Sequence, residues 1–131
     1  MLTTTKRLLR KYKACKDGYN KLCASLGDDW PDSRPILLTT ILDSNGMDDA
    51  LWSLRAVPSV QREARDRLSR QFACWCARQV WHLLADERSR AAIEVADSYA
   101  IGEATENDLD AASAAASAAA MDAASAAARA A

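Results

Sequence analysis

The stretch from Ser59 to Leu84, SVQREARDRLSRQFACWCARQVWHLL, decides the fold class. Wound at about 100° per residue, it gathers Ala64, Leu68, Phe72, Trp75 and Leu83 into one arc. Glu63, Arg67, Arg70, Gln71 and Arg78 fall in the opposite arc. That division is the pattern of a helix half buried and half wet. A helix capped by Ser59 and running to about Leu84 is therefore expected to cross the core.

Helical signals continue on both sides. Upstream, Thr3 to Thr5 offer N-caps for a helix from about Thr4 to Ala14 carrying Leu8, Leu9 and Tyr12. A second helix spans roughly Gly18 to Leu26 and stops at Gly27, with Asp17-Gly18 as an interruption between the two. Asp28 to Pro35 is turn chemistry, after which a helix is expected from Ile36 to Asp43, ending at Asn45-Gly46. Asp48 caps a short helix with Leu51, Trp52 and Leu54, closed by Pro58. Downstream, Asp86 caps a helix whose apolar stripe is Ala92, Ile93, Ala96, Tyr99 and Ala100, with Gly102 as its stop. Thr105 opens the last helix, with Asp108 at the capping-box position.

The last helix is low-complexity. DAASAAA at Asp110–Ala116 recurs unchanged at Asp122–Ala128, and a spacing of twelve turns the copies about 120° apart, so they share no face. Alanine has the highest helix propensity but buries little area, so this helix must dock by close backbone approach. The expectation is an all-α, single-domain compact bundle of six or seven helices. It divides into a short-helix part (1–57), a core helical pair (59–104) and an Ala-rich C-terminal helix (105–131).

Length and charge limit function. A chain of 131 residues with a formal net charge of −1 suits one modest core. It lacks the strongly basic profile of a general nucleic-acid binder. No apolar run reaches the roughly 18 residues needed to span a bilayer, nor does the N-terminus read as a secretory signal. A cytoplasmic protein with Cys15, Cys23, Cys74 and Cys76 as thiols is expected. Trp52, Trp75 and Trp81 read as core residues.

Catalytic and metal chemistry find no motif. Cys74 and Cys76 are two apart, so on a helix their sulfurs point about 200° apart and cannot converge on one ion. Cys74 falls on the polar arc and Cys76 nearer the apolar one. His82 is the one imidazole and sits near a helix end, where a capping role is expected. Neither a nucleophile–base pair nor a phosphate-cradling glycine loop is present. The expectation is no enzyme, no metal and no cofactor.

The strongest charge run is Lys6, Arg7, Arg10, Lys11, Lys13, Lys16 and Lys21. Cations in a first helical turn oppose the helix dipole, a local conflict that functional surfaces tolerate. Lys6, Arg7, Arg10 and Lys11, with Trp30 as an anchor in the adjoining loop, are therefore the candidate partner-binding residues. The rivals are neutralisation by this chain's own Asp28-Asp29-Asp32 or Asp48-Asp49, or simple solvation, and for Trp30 a place folded back over a small core.

The segments ALWSLRAV (Ala50–Val57), ACWCA (Ala73–Ala77) and RAAIEVADSYAIGEAT (Arg90–Thr105), followed by the Ala-rich tail, resemble a loose group of small helical proteins. That group comes from phages, prophages and bacterial toxin-immunity loci. The resemblance implies a mobile-element setting in a bacterial host and carries no site residue. It implies that setting rather than an activity; because small non-enzymatic proteins of such loci commonly bind and block a larger one, the expectation is a non-enzymatic inhibitor or immunity-type protein that binds a larger host or bacterial protein, such as a defence complex of the CRISPR kind. A self-associating phage structural or adaptor protein and a basic-helix nucleic-acid binder are the alternatives. A homodimer is a further option, and no membrane is involved.

Overall fold

The computed structural model describes residues 1–130 of the chain. Residue 131, where the expected Ala-rich helix ends, lies outside the described residues. The fold is all-α, as expected, with seven α-helices and one two-stranded ribbon among the described residues. The chain divides into two compact units, one from Met1 to Arg65 and one from Asp66 onward.

In the N-terminal unit the chain begins with a strand, not a helix. β1 (Thr3–Thr4) pairs antiparallel with β2 (Ile36–Leu37), Thr3 opposite Leu37 and Thr4 opposite Ile36. Thr4 is fully buried and its hydroxyl donates to the Ala56 carbonyl at 2.7 Å. The Gln61 side chain accepts from the Thr3 amide at 2.9 Å and donates to the Thr3 hydroxyl at 3.0 Å. These bonds hold Thr3 and Thr4 extended, so α1 is confined to Lys6–Lys11 and is capped by Thr5. For the same reason the helix expected from Ile36 begins two residues later, as α3 (Leu38–Asn45).

The first helix ends by a Schellman closure. The Lys13 amide donates to Arg10 and the Ala14 amide to Leu9, with Lys13 in the left-handed region at φ 61°. α2 then spans Lys16–Leu26, with the Cys15 sulfur accepting from the Gly18 amide at 3.3 Å. Asp17-Gly18 therefore lies inside the first turn, where Asp17 suits the dipole. α4 (Met47–Ser53) follows α3 directly after Gly46, and 3₁₀ turns at Leu54–Ala56 and Ser59–Gln61 complete the unit. Its core is Leu9, Leu22, Ile36, Ile41 and Ala56, with Tyr19, Trp30 and Trp52 packed against it.

α5 covers Arg62–Gln79 and is followed by a 3₁₀ turn at Trp81–Leu83. α6 (Glu87–Ala100) is capped by Asp86, and its Schellman closure uses Gly102 at φ 83°. α7 (Glu106–Ala130) begins with Thr105 and Asp108 capping one another, and doubles back along α6 so that Arg88 meets Asp122 at 2.9 Å. Leu109, Ala112, Ala115 and Ala116 are half-buried and Ala119 is buried, a helical stripe of mostly small side chains. From Ala120 through Ala130 every residue is exposed, including the whole second DAASAAA copy.

The long helix is turned the other way from the expectation that its large apolar arc is buried. Among the described residues α5 buries Cys74, whose thiol lies 3.7 Å from the Ile93 carbonyl on α6. Arg78 pairs with Asp97 at 2.8 Å and Arg70 stacks over Tyr99 at 4.7 Å, so the face at Arg70, Cys74 and Arg78 is the one laid on α6. The contact is made through these side chains, with both arginines reaching from α5 to partners on α6. The expected places of the two cysteines are thus exchanged: Cys74 is buried and Cys76 exposed. Trp75, read as a core residue, is 57% exposed.

Candidate partner-binding surface

α1 carries the four predicted basic residues, and of these four and Trp30 the unit uses three itself. Lys6 is buried at 7% exposure and its ammonium donates to the Trp30 carbonyl at 3.0 Å. Arg10 donates in bidentate fashion to the Asp32 carboxylate and, at 2.6 Å, to the Tyr19 hydroxyl. That pairing, reinforced by the charges of Lys6 and Arg7, holds the Asp32 carboxyl below the usual carboxylate range. Trp30 is half-buried against the core with Arg34 stacked 4.1 Å from its ring, and its indole N–H is buried without a partner among the described residues. Lys6, Arg10 and Trp30 thereby fasten the 28–35 loop to α1. Arg7 and Lys11 are the two predicted residues left facing solvent. Of the acidic loops weighed as internal counter-charges, Asp32 is the one that meets the helix.

An apolar arc of α5, on the side away from Cys74, faces outward. Phe72 and Trp75 stack with ring centroids 6.0 Å apart and planes at 18°. Leu68, one turn before Phe72, is also exposed. Arg67, on the neighbouring arc of the same helix, is exposed as well, whereas Arg78 is taken by Asp97. The sequence pattern revealed the stripe but assigned it to the core.

A second feature, in the N-terminal unit, carried no sequence signal. α2, α3 and α4 enclose a cleft of about 70 Å³ walled by Leu9, Leu22, Ile41 and Trp52, with Cys15, Gly18 and Asp49 also lining it. Asn45 donates to the Gly18 carbonyl at 2.8 Å and to Asp49 Oδ2 at 2.7 Å, tying the three helices together. A methyl group added at Gly18 would lie 2.6 Å from that oxygen. The Asp49 side chain reaching against α2 accounts for this glycine, and positions 18, 45 and 49 have no spacing that would reveal it.

Among the described residues no group of three His, Cys, Asp or Glu side chains is placed to hold a metal ion. His82 is exposed in the 3₁₀ turn after α5. No described helix is long and apolar enough to cross a membrane. No family model, no curated protein and no solved structure matches the chain.

Proposed function

We propose that this chain is a non-catalytic protein-binding module of the inhibitor or immunity kind, acting by docking α5 onto a larger protein. The supporting observation is the Phe72–Trp75 stack standing exposed on a helix whose opposite face is already occupied by α6. Solvent-facing aromatic clusters are costly for a monomer and are the side chains that dominate binding energy at protein interfaces. Arg67, exposed on the same helix, favours a partner with an acidic group beside its apolar groove. A phage or defence-related setting comes from the sequence resemblance alone.

Quantitative capture from a bacterial lysate tests this with three baits: wild type, Phe72→Ser/Trp75→Ser, and Arg7→Glu/Lys11→Glu. One partner at fixed ratio, weakened about 30-fold or more by the stripe variant and little by the basic one, is the expected outcome. Loss with the basic variant alone moves the site to α1. Self-association of the pure wild type, abolished by the stripe variant, replaces the proposal with an oligomer contact.

A further inference from the structure

We propose that the cleft between α2, α3 and α4 binds a short alkylammonium group, supplied either by a free aliphatic amine or by a lysine side chain of another protein. Its size suits a short chain. The cleft, at about 70 Å³, is well beyond what one water needs and admits several heavy atoms in a row. A lysine side chain from Cβ to Nζ, or n-butylamine, is a chain of that kind. Leu9, Leu22, Ile41 and Trp52 offer an aliphatic chain apolar walls and offer water few partners.

Charge fixes the head group. Asp49 is the one carboxylate lining the cleft, and it is held in place on one side only. Its Oδ2 accepts from Asn45 and is packed against Gly18, while Oδ1 accepts no hydrogen bond from any described residue. Glycine carries a propensity penalty inside a helix, and at position 18 it lets the carboxylate sit this close to α2. No lysine or arginine among the described residues pairs with Asp49, although the unit is rich in both; Arg10, in the preceding helix, is committed to Asp32 and Tyr19. A positioned carboxylate at an apolar cleft, lacking an internal cation, is an acceptor suited to an ammonium from outside. The site shares no residue with the α5 stripe, so the two proposals fail separately.

Amide chemical shifts of the full chain, followed during titration with n-butylamine, n-butanol and Nα-acetyl-lysine methylamide at pH 7 and constant ionic strength, test it. Saturable shifts centred on Gly18, Leu22, Ile41 and Asn45, with the amine bound at least about fivefold more tightly than the alcohol, are expected. Asp49→Asn should remove that preference. Ala14→Leu, which narrows the cleft without touching Asp49, should remove binding of both and decides the matter if Asp49→Asn does not fold. Lysine amide binding as well as butylamine identifies a partner's lysine as the source, and weaker binding identifies a free amine. Equal affinity for amine and alcohol, or shifts outside the cleft, overturns the proposal.

Discussion

Replacing Lys13 with glycine should stabilise the N-terminal unit, although Lys13 is exposed. Lys13 occupies the position after the α1 C-cap at φ 61°, its amide bonding to Arg10 at 3.0 Å and the next amide, of Ala14, to Leu9 at 2.9 Å. The same closure ends α6 with glycine in that place: Gly102 at φ 83° bonds to Tyr99 at 3.1 Å and Glu103 to Ser98 at 2.8 Å. A side chain in the left-handed region costs roughly 1–2 kcal/mol, and glycine's greater freedom in the unfolded chain returns about 0.5–1 kcal/mol of that. The net gain is about 0.5–1 kcal/mol, worth roughly 2–8 °C in melting temperature for a unit of this size. Amide exchange, read separately in each unit, is the assay. Protection should rise around α1 and α2 in Lys13→Gly and fall in α6 by a similar amount in Gly102→Ala. A loss of protection at α1 in Lys13→Gly would refute the reasoning, because it would mean that the lysine side chain outweighs the backbone strain.

Two further outcomes follow from burial and charge. Under iodoacetamide at pH 8, Cys15 and Cys76 should be alkylated rapidly and Cys74 only on unfolding, as peptide mapping would reveal; Cys74 is buried, and burial with the nearby Asp97 charge pushes its thiol up. Because the Arg10 hydrogen bonds lower the folded-state value of Asp32, its stabilisation is complete above the ordinary carboxylate range near pH 4 and is lost as the pH falls through and below it. Wild type should accordingly lose more of its melting temperature between pH 5 and pH 2.5 than Asp32→Asn, and equal losses would remove the Arg10–Asp32 pair from the stability of the unit.

Helix limits were legible where a local rule sets them. Asp86, Gly27, Gly46 and the Thr105–Asp108 pair mark element ends in the sequence and do so in the structure. The ribbon was not legible, because two-residue strands are too short to show alternation, and three threonines before a basic run look like caps. The orientation of α5 was missed for a different reason. Hydropathy weighs side-chain size, whereas α6, with Ala92, Ile93 and Ala96, is met across Cys74 and its two flanking arginines. At the candidate site, the sequence identified a cationic run but not which members are internal: the burial of Lys6 depends on a loop carbonyl 24 residues away.

The contact between Gly18 and Asp49 makes the two positions epistatic. Alone, Gly18→Ala puts a methyl carbon 2.6 Å from a carboxylate oxygen that Asn45 holds in place, so the change is unfavourable despite alanine's better helix propensity. With Asp49 shortened to alanine that obstacle is gone, and the remaining neighbour, the Cys15 sulfur at 3.0 Å, need give by only a few tenths of an ångström. The same mutation then gains up to about 1 kcal/mol of propensity. The sign of one substitution thus depends on the residue 31 positions away, a coupling that single-site scanning of this chain does not detect.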